Sequence, residues 1–330
     1  MRRSTPYEDH RSIVVPAAVD ARHDDGLRAI ELLLADPSVS EVMVNGPGPV
    51  FVDRHGRSEA SGFAVSMPAI TVLIERLLDP LGLQIDRTTP LVDARLPDGS
   101  RVNVAVAPAA PSGPLVTIRR FADRPLPLAA FGDPSVVALL GDLLARRRSL
   151  LVVGGTSSGK TSLLGALGSL LPPGERVITI EDTAELRLDG GQVVSLEARL
   201  PNREGAGEVT MRDLVRNALR MRPDRLIVGE VRGAEALDLL LALNAGHEGS
   251  MATCHANDAG GALVRLEVLA RLAGADVPSE ALRALAVGAF DVVVHVARRG
   301  ARRVVTEVLE PGDGRSEPRT LWAIGSRRAA

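Results

Sequence analysis

The chain has 330 residues, enough for two domains of ordinary size, and its 45% apolar and 24% charged residues are those of a globular protein, not a disordered or fibrous one. A net charge of −2 and only seven aromatic residues argue against a basic field or a stacking surface for nucleic acid. The single cysteine, Cys254, cannot form an internal disulfide, and no apolar run reaches the 18 or so residues of a membrane span, so a cytoplasmic protein without a signal peptide is expected.

The first half reads as an antiparallel α+β domain covering residues 1–121, with about the first 25 residues a candidate disordered stretch. Val39 to Val44 and Val50 to Arg54 are β-rich runs joined by the turn signal Asn45-Gly46-Pro47-Gly48. Pro68 to Leu81 carries Ile70, Leu73, Ile74, Leu77 and Leu78 at helical spacing and stops at Gly82. Leu91 to Leu96 and Arg101 to Val106 flank Pro97-Asp98-Gly99 as a hairpin, and Leu115 to Phe121 is a further strand. The proline-rich stretch 122–134 reads as the linker.

Residues 135–330 alternate in type. Helices are expected at Ser135–Ala145, Lys160–Leu171, Met211–Met221 and Ala234–Ala245. Strands are expected at Ser149–Val153, Arg176–Ile180, Leu226–Val228 and Ser250–Cys254. Apolar strands separated by helices imply an α/β, doubly wound, mainly parallel sheet with helices on both faces.

Gly154, Gly155, Thr156, Ser157, Ser158, Gly159, Lys160 and Thr161 match G-x-x-x-x-G-K-[ST] without a gap, after a strand and at the start of a helix. Backbone N–H groups of such a loop converge on phosphate oxygens, with the helix dipole behind them. Lys160, the only lysine against 38 arginines, would reach the β- and γ-phosphates of ATP, and the Thr161 hydroxyl would sit on Mg²⁺. Ser162 completes the candidate nucleotide site. Glu230, at the end of the strand Leu226–Val228, is the candidate for the Mg²⁺ shell, through water. An aspartate is usual where Gly229 stands, so a different residue should position the attacking water.

Glu181, Asp182 and Glu185 follow the next strand. Three carboxylates at one strand end repel one another unless a cation or proton sits among them. Glu181 is the first candidate for positioning water, with Glu185 behind it; an acidic helix cap from Asp182 and Glu185 is the alternative. His255 ends the strand 250–254 and belongs at the same edge, whereas His247, Cys254 and His255 fit no standard metal-ligand spacing. Arg95 and Arg101 are symmetric about the turn at Asp98, so hairpin pairing would set two like charges opposite each other, which either places an anion nearby or leaves two solvated arginines balanced by Asp93 and Asp98.

The P-loop, ITIEDTAEL at 178–186, RPDRLIVGEVRG at 222–233 and AGHEGSMATCHAND at 245–258 together resemble the type II/type IV secretion ATPase superfamily, as its Walker A, Asp box, Walker B and His box. DPSVSEVMVNGPGPVFVDRHGR at 36–57 and PLVDARLPDGSRVN at 90–103 resemble the tight-adherence (Tad/Flp) pilus branch, the CpaF/TadA-type ATPases. The resemblance implies a RecA-like ATPase domain after a smaller N-terminal domain, with nucleotide bound between the two in a homohexameric ring. It implies that Glu181 and Glu230 are catalytic, and that His255 couples γ-phosphate state to domain movement. Arginines of the N-terminal domain would complete the site: Arg95, Arg101 and Arg119, with Arg120 as the outsider. It also implies partnership with inner-membrane platform proteins on the cytoplasmic face; direct nucleic-acid binding is not expected, given the near-neutral charge and few aromatic residues. A DNA translocase and a nucleotide-gated scaffold are the competing readings.

Overall fold

The computed structural model describes residues 24–54, 56–120, 126–188, 192–199, 201, 206–274, 276–300, 302–312 and 316–325. The expectation for the first 25 or so residues therefore lies almost wholly outside the described chain. The protein divides into two compact units, Met1–Asp123 and Arg124–Ala330.

In the first unit, helix α1 (Asp24–Ala35) leads into β1 (Val39–Asn45), β2 (Gly48–Arg54) and β3 (Arg57–Val65). Helix α2 (Met67–Leu78) follows, then β4 (Leu91–Arg95), β5 (Arg101–Ala105) and β6 (Leu115–Arg119). The strands make one antiparallel sheet in the order β3-β2-β1-β6-β5-β4. Ser66 caps α2 by accepting from the Ala69 N–H, Pro68 takes a first-turn position, and Gly82 ends the following 3₁₀ turn in the left-handed region at φ 67°. Leu27, Ile30, Leu33 and Leu34 of α1 and Ile70, Leu73, Ile74 and Leu77 of α2 bury one face of the sheet, through Val42, Val44, Val102, Val104, Val116 and Ile118. Two elements escape the sequence reading. Helix α1 lies at the edge of the stretch read as disordered, and β3 buries only Val65 among largely exposed neighbours, so it has no apolar alternation to betray it.

The second unit opens with a 3₁₀ turn, Leu128–Phe131, whose Leu128 and Phe131 are buried in its core. The latter part of the stretch read as a linker is thus packed structure. Then come α3 (Pro134–Ala145), β7 (Leu150–Gly154), α4 (Lys160–Gly168), β8 (Val177–Glu181), β9 (Val193–Glu197), α5 (Met211–Ala218) and β10 (Arg225–Val231). They are followed by α6 (Glu235–Asn244), β11 (Met251–His255), α7 (Gly261–Arg271), α8 (Ser279–Ala289), β12 (Val292–Arg299), β13 (Arg302–Glu310) and β14 (Arg319–Ala323). The sheet order is β14-β13-β12-β7-β11-β10-β8-β9, parallel from β12 to β9, with β13 and β14 added antiparallel at one side.

Alternate residues of the strands feed two cores. Leu151 and Val153 of β7 face α5, α6, α7 and α8, while Leu150 and Val152 face α3 and α4. Both faces are covered, as the near-continuous apolar strands require. Among the described residues no helix is long and apolar enough to cross a membrane.

At the N-terminal ends of the strands a guanidinium clamp ties the sheet together. Arg225, 1% exposed, is held by Glu175 and donates from Nη1 to the Gly249 carbonyl at 3.0 Å; Arg147 also pairs with Glu175 and donates to the Asp224 carbonyl at 2.9 Å. A Cβ at Gly249 would lie 2.9 Å from the Arg225 Cζ, so glycine is needed there both for space and for φ 75°. Glu175→Ala strands the buried Arg225 charge and is expected to cost about 3–5 kcal/mol, read as a lower urea midpoint with unchanged slope.

Candidate functional site

The parallel register brings the catalytic candidates of the second unit to one edge. His255 on β11 lies opposite Gly154 on β7, and Val228 on β10 lies opposite Ile180 on β8, which sets Glu181, Glu230 and His255 around the end of β7. Ligands of doubly wound sheets bind at this C-terminal edge.

The loop 154–159 alternates handedness: Gly154 has φ 158°, Ser157 φ 56° and Gly159 φ 101°. Such winding turns successive N–H groups toward one point, and α4 begins at Lys160 directly behind it. A Cβ at Gly154 would fall 2.6 Å from the Ser158 Oγ, so the first glycine is fixed by close packing. Lys160 is buried and lies along the loop, donating from Nζ to the carbonyls of Gly154 at 3.3 Å and Gly155 at 3.0 Å. Burial lowers its pKa from the ordinary lysine value, against the opposing pull of Glu230. The ammonium is held where a strong anion would replace two weak carbonyl acceptors.

Beyond Lys160 stand His255 and Glu230. The His255 ring nitrogens lie 3.2 and 3.4 Å from the Lys160 Nζ, and Nε2 is 2.8 Å from the Glu230 Oε1. Burial, then the Lys160 charge, push the His255 pKa below its usual value, so the ring is neutral at pH 7. The 2.8 Å contact has ion-pair distance without hydrogen-bond alignment: the buried Oε1 has no hydrogen-bond partner among the described residues, and neither does the buried Ser158 Oγ. A buried carboxylate oxygen beside Lys160 and a hydroxyl in the loop are suited to accept from water and to meet phosphate. The Glu230 Oε1 and the Thr161 hydroxyl are hard oxygen donors of the kind Mg²⁺ takes. Among the described residues no cluster of three or more His, Cys, Asp or Glu could hold a metal by itself, so the ion would lean on the phosphates.

The sequence reading missed Arg232. It donates from Nη2 to the Glu230 Oε2 at 2.6 Å, and its Nη1 lies 3.5 Å from the Asp182 Oδ2. This is a cation of the kind that the carboxylates at 181–185 and Glu230 call for. Glu181 is 3% exposed and turned onto its own loop, accepting the N–H of Glu185 at 3.0 Å and of Leu186 at 3.1 Å. These bonds hold the backbone of the loop that follows β8. The alternative reading, an acidic helix cap at Asp182 and Glu185, is overturned because no helix begins there.

The same carboxylate explains the unusual glycine before Glu230. A Cβ at Gly229 would stand 2.7 Å from the Glu181 Cγ, so no aspartate fits while Glu181 is folded inward. His247 is not at the edge: its Nδ1 meets the Ala242 carbonyl at 2.9 Å, close to the end of α6. Cys254 is buried, and desolvation raises its thiol pKa to about 11, which makes it an inert packing residue.

In the first unit, Arg95, Arg101 and Arg119 form one cross-strand row. Arg95 lies opposite Arg101, Arg101 opposite Arg119, and Arg119 opposite Glu41. The hairpin symmetry seen in the sequence therefore holds and extends one strand further. Val102, Ile118 and Val42, the row's neighbours one residue along, point into the core, so the arginines occupy the other face. Glu41 pairs with Arg119 at 3.5 Å, and Asp98 is engaged by the Ser100 N–H at 2.9 Å. Three arginines thus line up across neighbouring strands on one sheet face, with Glu41 at the row's end. Arg120 is different: it donates to the carbonyls of Asp36 and Val39, tying β6 to the loop after α1.

An eight-stranded, mainly parallel sheet with a phosphate loop at its carboxyl edge, and a carboxylate and a histidine beside the lysine, defines an ATP-hydrolysing P-loop enzyme with a RecA-like core. Residues 23–299 match the family described as Type II/IV secretion system protein, and the chain belongs to that family. It is similar to a Mycobacterium tuberculosis protein named for conjugal transfer, 40% identical over 312 residues and covering 90% of this chain and 88% of that one. The type IV secretion system protein PtlH of Bordetella pertussis is 36% identical over 318 residues, covering 86% of this chain and 94% of its own. Among solved structures, the ATPase DotB of Legionella pneumophila aligns over 87% of this chain and 80% of that one with a TM-score of 0.62 at 20% identity, a likeness of fold.

The Glu181–Gly229 contact yields a direct test. Gly229→Ala is expected to lower stability by about 1–3 kcal/mol through overpacking, measured by urea unfolding, and Glu181→Ala in the same chain should recover part of that loss.

Proposed function

We propose that this protein is the ring motor of a cell-envelope machine, hydrolysing ATP to drive assembly of a type IV pilus of the tight-adherence kind. The observation that carries this reading is the meeting of buried Lys160, the Glu230 Oε1 and neutral His255 at the mouth of the P-loop. The pilus assignment rests on the N-terminal segments 36–57 and 90–103. Relatives named for conjugal transfer and type IV secretion favour a second reading, a motor of the same construction serving transfer across the envelope.

In this mechanism the triphosphate takes Lys160 from the Gly154 and Gly155 carbonyls, and the loop N–H groups bind the phosphate chain. Glu230 accepts a hydrogen bond from the attacking water through Oε1. The water oxygen bonds to the γ-phosphorus as the bond to the β–γ bridging oxygen breaks, and the water's proton ends on the released phosphate, giving ADP and phosphate. Glu181 holds the loop 182–186 in place. Thr161 and, through water, Glu230 would hold Mg²⁺, which would supply charge neutralisation to the phosphates. His255 lies between Lys160 and Glu230, where it can register whether a γ-phosphate is present. The family resemblance assigns Arg95, Arg101 and Arg119 as the arginines that stabilise charge on the phosphates during hydrolysis. The working form is a homo-oligomer, a hexamer, at the cytoplasmic face of the inner membrane, where platform proteins receive the movement.

Glu230→Gln should abolish phosphate release while leaving ATP binding within a few-fold. Arg101→Ala and Arg119→Ala should each lower turnover by roughly 10³–10⁵-fold with nucleotide binding preserved. Normal turnover in both arginine variants overturns the finger assignment. Deleting the gene separates the two readings: loss of surface pili supports the first, and loss of DNA or protein transfer with pili intact supports the second.

A further inference from the structure

Glu235 is a buried acid, 7% exposed, at the first position of α6, and no step described so far uses it. A carboxylate taken out of water is costly unless it is hydrogen-bonded. Here one oxygen, Oε1, accepts the N–H of Arg232 at 2.6 Å and the N–H of Gly233 at 2.8 Å, just past the end of β10. A Cβ at Gly233 would stand 3.1 Å from the Glu235 Oε2, so the glycine leaves room for the acid against the turn. The connection from β10 to α6 is thus wound around a single carboxylate, which fixes the backbone of Arg232.

That backbone carries a guanidinium that meets two acids. Nη2 donates to the Glu230 Oε2 at 2.6 Å, and Nη1 lies 3.5 Å from the Asp182 Oδ2. Asp182 belongs to the loop that Glu181 holds through the Glu185 and Leu186 N–H groups. Arg232 therefore spans from the end of β10 to the loop after β8, and both of its supports are themselves fastened. Glu230 gives one oxygen to this guanidinium. Its other oxygen, Oε1, is buried beside His255 without a hydrogen-bond partner among the described residues. Holding Oε2 fixes the side-chain torsions of Glu230, and with them the direction of Oε1.

We propose that Arg232 and Glu235 are positioning residues for hydrolysis: Glu235 sets the turn that carries Arg232, and Arg232 holds Glu230 with Oε1 turned to the attacking water. This rests on the reading of Glu230 given above. Neither residue touches the nucleotide. A reacting group misplaced by about 1 Å loses on the order of 10²-fold in rate, while the phosphate chain stays bound by the loop and Lys160. The relay therefore acts on kcat and not on affinity.

The test compares Arg232→Met, Arg232→Lys, Glu235→Ala, Glu235→Gln and the double variant Arg232→Met with Glu235→Ala against the unaltered chain. Phosphate release gives kcat and KM, titration calorimetry gives ADP affinity, and the thermal midpoint reports folding. Arg232→Met keeps the stem and removes the charge; it should lower kcat by roughly 10- to 100-fold with KM and ADP affinity within about twofold. Arg232→Lys should recover only part of the turnover, because an ammonium lacks the planar fork. Glu235→Ala should lower kcat by roughly 5- to 50-fold, and Glu235→Gln, whose amide oxygen still accepts both N–H groups, should recover most of that loss. In the double variant the second change should cost less than about twofold more, because Glu235 acts through the arginine. Losses that multiply instead give Glu235 a purely structural part and overturn the relay. Unchanged kcat in Arg232→Met overturns it as well, and so does a fall in ADP affinity that matches the fall in kcat, which would put the guanidinium on the nucleotide itself. Arg232 is half-exposed, so Arg232→Met decides the matter even where Glu235→Ala does not fold. An unaltered chain that binds ADP but releases no phosphate from ATP is a different result, and sinks the motor reading.

Discussion

The parallel register of four adjacent strands is the constraint on which the site depends. Because β7, β11, β10 and β8 run the same way and pair nearly level, their carboxyl ends deliver Gly154, His255, Glu230 and Glu181 to one edge. Shifting one strand by a single residue would turn its apolar side chains from one core to the other, so both cores enforce the alignment. The register is further pinned by the Thr253 hydroxyl, which donates to the Gly229 carbonyl at 2.6 Å across β11 and β10. Precision at the reactive edge is thus a by-product of burial on both faces, and the Arg225–Glu175 clamp closes the opposite edge of the same strands.

The charged groups at that edge are interlinked. Glu230 sits between a neutral imidazole and the Arg232 guanidinium, Arg232 also meets Asp182, and Glu181 is satisfied by backbone N–H groups. Glu230 and Asp182 share the Arg232 guanidinium while Glu181 is met by backbone N–H groups, so the neighbouring carboxylates do not play one part. Glu181 shapes its loop and excludes a side chain at 229; Glu230 keeps one oxygen beside the His255 ring.

Much of this was legible in the sequence. The P-loop, the apolar strands around it and the helix at 67–78 announce themselves by spacing, and the hairpin symmetry about Asp98 gave the Arg95–Arg101 pairing. What was not legible has physical reasons. Strand β3 is exposed on nearly every residue, so it offers no alternation. Strands β12 and β13, with Val292–Val294 and Val305 buried, carry an apolar signal, but it lies beyond the last recognisable motif. Arg232 was invisible because nothing in a run of arginines says which one turns inward, and the bond from Arg303 to the Ser162 hydroxyl because the two are some 140 residues apart in the chain. The inward fold of Glu181 could have been read from Gly229 itself, since a glycine where an acid is customary signals a crowding neighbour.

The chain's one side-chain amine lies buried along the phosphate loop, bonded to two carbonyls. Reagents that acylate amines consequently have a single side-chain target in the whole chain. Its labelling should rise or fall with whatever covers the loop, which makes Lys160 a built-in reporter of occupancy that needs no engineered probe.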